Sequence, residues 1–196
     1  DREVDIVEAG RKLFRGRGFK ATNVSEIAHE AGIAVGSFYK FFASKEELFL
    51  RVYLEENEAL KRRLFESVDD TADPVDLVTS LVSRNAIEMN ENPILREWYN
   101  QDLMAKLEKR FEAQHGVASI HELMDAGVRQ MVLRWQAAGR MRRDIEPEMI
   151  IAMFKSVAYI DLHKAEIGPE FFPEVLTRIS EFIIRGLARG EHETST

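Results

Sequence analysis

The 196-residue chain contains no cysteine, which excludes disulfides, thiolate metal sites and a cysteine nucleophile and fits a reducing compartment. It also lacks a long hydrophobic run. The longest unbroken apolar stretch is MIIAMF, residues 149–154, far short of the roughly 20 residues that span a bilayer. No charged-then-apolar leader opens the chain, so the expectation is a soluble, cytoplasmic protein without a membrane partner. Asn-Gly hairpin turns and sustained two-residue alternation are missing too, which argues against β-sheet. So are the signatures of common catalytic sites. There is no nucleophile elbow, no His-Glu-x-x-His and no pair of carboxylates among apolar neighbours. The glycine-rich GRGFKATN (residues 16–23) lacks the Lys-Ser or Lys-Thr that a phosphate loop requires.

Positive charge is scarce overall, with 27 Lys and Arg against 34 Asp and Glu. The deficit is uneven: residues 1–51 hold nine Lys or Arg against eight Asp or Glu, leaving 18 against 26 for the remainder. An acidic body therefore does not prevent the N-terminal quarter from presenting a basic face to a polyanion.

What is present is helical period almost everywhere. A first helix is expected over residues 2–17, with Ile6, Ala9, Leu13 and Phe14 on one face and Gly18 as its stop. Asn23 and Glu26 form the N-terminal signature of a second helix ending near Gly32, and a third is expected over residues 35–41. Ser44 with Glu47 is a capping box for a long fourth helix whose stripe is Leu48, Phe49, Val52, Tyr53, Leu60 and Leu64. Proline at the first helical position marks further starts at Pro74, Pro93, Pro147 and Pro169. The reading is all-α, about nine helices: a three-helix head over residues 1–46, a larger helical body over 47–190 and a disordered tail over 191–196.

The second and third helices obey the steric grammar of a helix-turn-helix. Ala28 must be small where the third helix crosses it, Gly32 supplies the positive φ of the turn, and Ile33, Phe38 and Phe41 are expected to lock the pair from inside. Val35, Gly36, Ser37, Tyr39 and Lys40 are then left outside, where such a helix enters the DNA major groove. Lys45, in the first turn of the fourth helix, opposes the helix dipole unless an anion docks beside it.

The segment GFKATNVSEIAHEAGIAVGSFYKFFASKEELF, residues 18–49, resembles the DNA-binding segment of the TetR family of transcriptional regulators. The resemblance is ungapped over the first quarter of the chain. GRMRRDIEPEMIIAMF (residues 139–154) is similar to the family's entry to its penultimate helices. The resemblance implies phosphate contacts at Thr22, Gly36, Tyr39 and Lys45, and positions near bases or backbone at Val35, Ser37 and Lys40. Two departures matter: many members carry a cation where Val35 stands and Tyr or His where Phe41 stands.

In the body, Met153 and Val157, with Phe172, Val175, Leu176, Ile179, Phe182 and Ile183, form apolar faces broader than one core contact needs. Ordinary core packing gives the same stripes, but the resemblance implies a homodimer interface of four helices. Trp98, Tyr99, Met104, Phe111, Met124, Met131 and Trp135 also suit a core. Asn85 falls on the apolar stripe of Val78, Leu81, Val82 and Met89, where a ligand could satisfy its amide. The resemblance implies a small-molecule effector site, for which Asn85, Trp98, Tyr99, Met131 and Trp135 are the candidates. His121 and Asp125 are read as a surface pair, with no metal or cofactor. The expected function is a homodimeric, ligand-responsive regulator, a repressor that binds a pseudo-palindromic operator in double-stranded DNA and is released by a small apolar effector. An enzyme with a helical body and a protein-interaction module are the alternatives, and salt-sensitive binding of duplex DNA separates them from the first reading.

Overall fold

The computed structural model describes residues 1–69, 72–115 and 120–188, with side chains described except over 111–127. The described residues are all-helical. Ten α-helices occur among them: α1 (Arg2–Arg17), α2 (Val24–Glu30), α3 (Val35–Phe38), α4 (Lys45–Glu66), α5 (Pro74–Glu91), α6 (Gln101–His115), α7 (Ile120–Ala137), α8 (Pro147–Leu162), α9 (Lys164–Ile167) and α10 (Glu174–Leu187). Short 3₁₀ turns cover Leu95–Tyr99 and Pro169–Phe171. None of the described helices is long and apolar enough to cross a membrane.

Local chemistry sets most of these ends. Asp1 Oδ1 accepts from Glu3 N–H to open α1, and Gly18 closes it with φ 81°. At α4, Ser44 Oγ accepts from Glu47 N–H at 3.2 Å, and the Glu47 carboxylate accepts from Ala43 N–H at 2.7 Å. Pro74 follows Asp73, whose carboxylate accepts from Val75 N–H at 2.8 Å. Pro93 and Pro169 behave differently from expectation, since each precedes or begins a 3₁₀ turn. Asn92 accepts from Ile94 and Leu95 N–H through its amide oxygen and stops the longer helix from forming.

Two compact units divide the chain: Asp1–Arg63 with Glu88–Ser119, and Leu64–Ile87 with Ile120–Thr196. In the first, Ile6, Phe14, Ile27, Ala28, Phe38, Leu48, Phe49 and Tyr53 are fully buried. The Phe14 and Phe49 rings meet edge to face at 5.0 Å, and Phe19 meets Phe49 at 4.8 Å. Gly10 permits the close approach of α1 to α4, because a Cβ there would stand 2.7 Å from Leu48 Cδ2. The head expected over residues 1–46 lies wholly within this unit. In the second unit, Met131, Val132 and Trp135 of α7 pack with Ile150 of α8, Ile184 and Leu187 of α10, and Val75 and Val78 of α5. Gln136 locks the loop after α7 by donating to the carbonyls of Arg142 (3.0 Å) and Ile145 (2.9 Å). Arg143 donates to the carbonyls of Gln136 and Ala137, satisfying the end of α7.

Candidate nucleic-acid interface

The geometry begins with the pairing of α2 and α3. The Asn23–Glu26 capping box is complete: Asn23 Oδ1 accepts from Glu26 N–H at 3.0 Å and Glu26 Oε2 accepts from Asn23 N–H at 3.1 Å. Gly32 takes φ 67°, and Ile33 N–H then donates to Ala28 O at 2.9 Å, closing the turn between the helices. Ile27 and Ala28 beneath it are fully buried.

The third helix is shorter than expected, ending at Phe38 instead of 41. Beyond it, Lys40 N–H bonds to Ser37 O and Phe41 N–H to Phe38 O in tight three-residue turns, while Phe42 N–H reaches Phe38 O at 3.1 Å. That four-residue step brings the Phe42 ring within 5.9 Å of Phe38. The inner aromatic is therefore Phe42, and Phe41, expected inside, turns outward at 37% exposure. Tyr39 is 55% exposed and Val35 42%; Gly36 and Lys40 are exposed and Ser37 is half-buried.

Thr22 and Lys45 are placed otherwise. Thr22 is buried, and its hydroxyl donates to Gly18 O at 2.8 Å. The Lys45 ammonium donates to Phe19 O (2.9 Å) and Thr22 O (2.8 Å) and sits 4.2 Å from the centre of the Phe19 ring. Two of its three protons thus serve the turn after α1, where carbonyls lack helical partners. Sequence spacing predicts an anion beside this lysine; in the fold, backbone carbonyls already supply negative charge. Elsewhere on this face Arg17 pairs with Glu26 and Lys12 with Glu30. Lys20 and Lys40 are exposed and make no ion pair among the described residues.

Behind the interface lies a charge network that sequence reasoning missed. The Arg11 guanidinium donates to Glu56 (2.6 Å), Glu55 (2.6 Å) and Glu8 (3.2 Å). Glu56, whose side chain is 11% exposed, also accepts from Arg15 at 2.9 Å and from the Asn92 amide at 2.8 Å. Burial alone would raise the Glu56 pKa. Hydrogen bonds from Asn92 and Arg11 and the charges of Arg15 and Arg11 outweigh burial and hold the carboxyl below its ordinary value. Glu55 is likewise held low, burial being overcome by Arg51 and Arg11. Arg110 of α6 donates to Ser44 Oγ at 2.8 Å, at the N-terminus of α4.

The body candidates fall in both units. Met131 and Trp135 are buried in the core of the second unit, and Asn85 is half-buried in its part of α5. Trp98 and Tyr99 are half-buried on the 3₁₀ turn of the first unit. The side chains of Phe111, His121, Met124 and Asp125, and the tail 191–196, lie outside the described residues. The more deeply buried amide is Asn57, whose Nδ2 donates to Met89 Sδ at 3.9 Å. One turn earlier, buried Tyr53 Oη has no hydrogen-bond partner among the described residues, and burial pushes its pKa up. The signal was legible: Asn57 interrupts the α4 stripe between Tyr53 and Leu60.

On α8 and α10 the expected apolar face separates into two stripes. Leu176, Ser180, Ile184 and Leu187 of α10 are buried, Ile184 and Leu187 in the core of the second unit, and Val157 of α8 is buried too. Val157 and Leu176, expected at a subunit interface, are thus buried within the chain. Ile183 packs against the same core. Met153, Phe172, Val175 and Ile179 are half-buried, while Phe182 is 69% exposed, with Met149, Tyr159 and Phe171 also exposed.

Residues 6–52 match the model of the bacterial regulatory proteins of the tetR family. The chain is 40% identical over 92 residues to the transcriptional repressor KstR2 of Mycobacterium tuberculosis, covering 44% of each chain. It spans 37% and 51% of the length of two Bacillus subtilis HTH-type regulators, YerO and YxaF. Among solved structures, RolR in complex with resorcinol superposes with a TM-score of 0.70 at 16% identity, over 95% of this chain and 87% of that one. SmeT, the repressor of a Stenotrophomonas maltophilia multidrug efflux pump, gives 0.61 at 20% identity, over 96% and 91%. At these identities the structural likeness is one of fold. The glycine turn, the buried Ile27–Ala28 step and the outward α3 all lie inside the matched segment, so the N-terminal quarter of the chain is similar to the bacterial regulatory proteins of the tetR family.

Proposed function

We propose that this protein is a ligand-responsive transcriptional regulator, a repressor that grips operator DNA with α2 and α3 and is released by a small, largely apolar effector. One observation carries the reading. Phe38 and Phe42 hold α3 from one side, and Val35, Gly36, Tyr39 and Lys40 are exposed on the other. Four outward positions with no core duty, two of them apolar, suit an element that enters a groove. The family is one of transcriptional regulators, not enzymes.

In this reading residues 1–46 read DNA and residues 47–190 bind the effector and a second copy, in the cytoplasm where operator DNA is found. Exposed Phe182, Met149 and Tyr159, with half-buried Ile179 and Met153, supply the homodimer surface, and two-fold pairing makes the operator pseudo-palindromic. Phosphate contacts come from Tyr39, from the Gly36 backbone and from the remaining proton of Lys45, with Lys40 and Ser37 nearer the bases. Thr22 contributes by shaping the turn. RolR, a protein of like fold, was solved with the small aromatic molecule resorcinol, which supports a small-molecule effector here. Asn85, Met131 and Trp135 of the second unit are the proposed contacts.

The test is selection of duplexes from a random pool on the full chain, followed by titration across salt. Enrichment of an inverted repeat, with affinity falling as salt rises by a log–log slope of about −0.9 per phosphate contact, is expected. Equal affinity for all duplexes would remove the operator. Apolar ligands that raise the melting temperature are then titrated against bound operator. Linkage requires the ligand and the DNA to weaken each other by the same factor.

A further inference from the structure

We infer that base discrimination by this regulator is read mainly from thymine 5-methyl groups, through apolar contact by Val35 and the ring of Tyr39, whose hydroxyl is left for the phosphate. The inference rests on the DNA-binding reading above and deepens it. Val35 opens α3 and Tyr39 caps its end with helical backbone, and both side chains are exposed. Phe41 extends this apolar surface past the helix end. Three of the protein's exposed large hydrophobic side chains therefore fall within seven residues.

The polar inventory points the same way. Residues 33–43, IAVGSFYKFFA, contain no Arg, Asn, Gln, Asp or Glu. The planar bidentate pairings that recognise guanine with Arg, or adenine with Asn or Gln, have no donor set here. Lys40 offers a single ammonium, and Ser37 is half-buried. What remains for the major groove is apolar contact, and the feature it matches is the C5-methyl of thymine.

Two observations favour DNA over an apolar protein partner as the occupant. Exposed Lys40, next to Tyr39 in the chain and with no ion pair among the described residues, complements phosphate charge, as does exposed Lys20. Gly36, between Val35 and Tyr39, has open space where a Cβ would stand, so no neighbour inside the chain requires glycine there. A groove wall meeting the backbone would.

The experiment takes the duplex enriched by selection and replaces its thymines one at a time with deoxyuridine. This removes the methyl and leaves every hydrogen-bonding edge intact. At one or two positions per half-site the full-length protein is expected to lose roughly three- to tenfold in affinity, the effect of one buried methyl. At those positions a 5-methylcytosine–guanine pair should bind more tightly than a cytosine–guanine pair by a similar factor. Val35→Ala should erase the thymine–uracil difference at one position and Tyr39→Ala at another. Both side chains are exposed, so a melting temperature within error of the parent's shows that the fold is retained. An enriched sequence bound equally well with uracil throughout overturns the inference and leaves the regulator reading standing. Failure to enrich any sequence, with no salt-dependent duplex binding, overturns both and identifies the surface as a protein contact.

Discussion

Replacing Gly36 by alanine separates stability from DNA affinity. The glycines held at positive φ are Gly18, Gly32, Gly139 and Gly168; Gly36 is not among them, and an added Cβ meets no atom within 4 Å. Alanine therefore fits the folded backbone and restricts the unfolded one, which is expected to stabilise the protein by about 0.4–1 kcal/mol. For a chain of this size that is a rise of about 1–4 °C in melting temperature. If a DNA wall packs against Gly36, the same methyl overpacks the interface at about 1–3 kcal/mol, or roughly five- to 150-fold per half-site. Calorimetry and fluorescence anisotropy on one preparation measure both quantities. Gly32→Ala is the control: it too has open space around it, but at φ 67° it should destabilise, by about 1 kcal/mol. A Gly36→Ala variant that melts higher and binds DNA as well as the parent would refute the placement of α3 against DNA. One that melts lower would refute the conformational reasoning.

Glu56→Ala should destabilise by about 2 kcal/mol, since it leaves Arg11, Arg15 and Asn92 short of a part-buried acceptor; a loss below about 0.5 kcal/mol, as for an exposed pair, would show the network to be idle. Because Glu55 and Glu56 titrate below the ordinary 4.5 in the fold, their contribution is complete above that pH and is lost as pH falls through their folded values, and a urea-melt series from pH 7 to 3 should show Glu56→Ala flattening the decline. Lys45→Ala should lower the melting temperature as well as the salt slope, because its ammonium is bound to Phe19 and Thr22 carbonyls; an unchanged melting temperature would count against the clamp. Phe182→Arg should leave each chain folded, the side chain being exposed, yet yield monomers by sedimentation and weak operator binding. Persistence of a dimer would move the interface elsewhere.

How much of this was readable in advance follows from range. Caps, glycine stops and the helix-turn-helix are decided within about five residues, so Asn23–Glu26, Gly18, Gly32 and the start of α4 were legible. The end of α3 was not: choosing Phe42 over Phe41 as the inward ring depends on where the helix unwinds, and both residues are phenylalanine. The clamp at Lys45 was not legible, because its partners, the carbonyls of Phe19 and Thr22, are backbone atoms 26 and 23 residues away. The same holds for Arg11 and Glu56, 45 residues apart. On α10, periodicity revealed an amphipathic helix and left open which side faced its own core. The split between Leu176, Ser180, Ile184 and Leu187 inside and Phe182 outside needs the position of α8.

These long-range contacts share one element. Along α4, Ser44 at its cap receives Arg110 from α6, and Lys45 holds the turn that follows α1. Leu48 fills the hollow left by Gly10 of α1, and Glu55 and Glu56 bind the α1 arginines. The second half of α1 is thus fastened to α4 by the Arg11 and Arg15 ion pairs and by close packing at Gly10, and α2 joins α1 through the Lys12–Glu30 and Arg17–Glu26 pairs. By contrast α3 is four residues long, held by Phe38, the Phe42 ring and the turn at Gly32. A helix so short has little stability of its own, and its orientation is inherited from α1, α2 and α4. An effector that displaces α4 by a small angle must then carry the whole head with it, because slipping α1 against α4 would break the Arg11–Glu56 and Arg15–Glu56 bonds together. In the proposed regulator, control over DNA affinity would therefore act on the placement of α3 and leave the chemistry of Val35, Tyr39 and Lys40 constant.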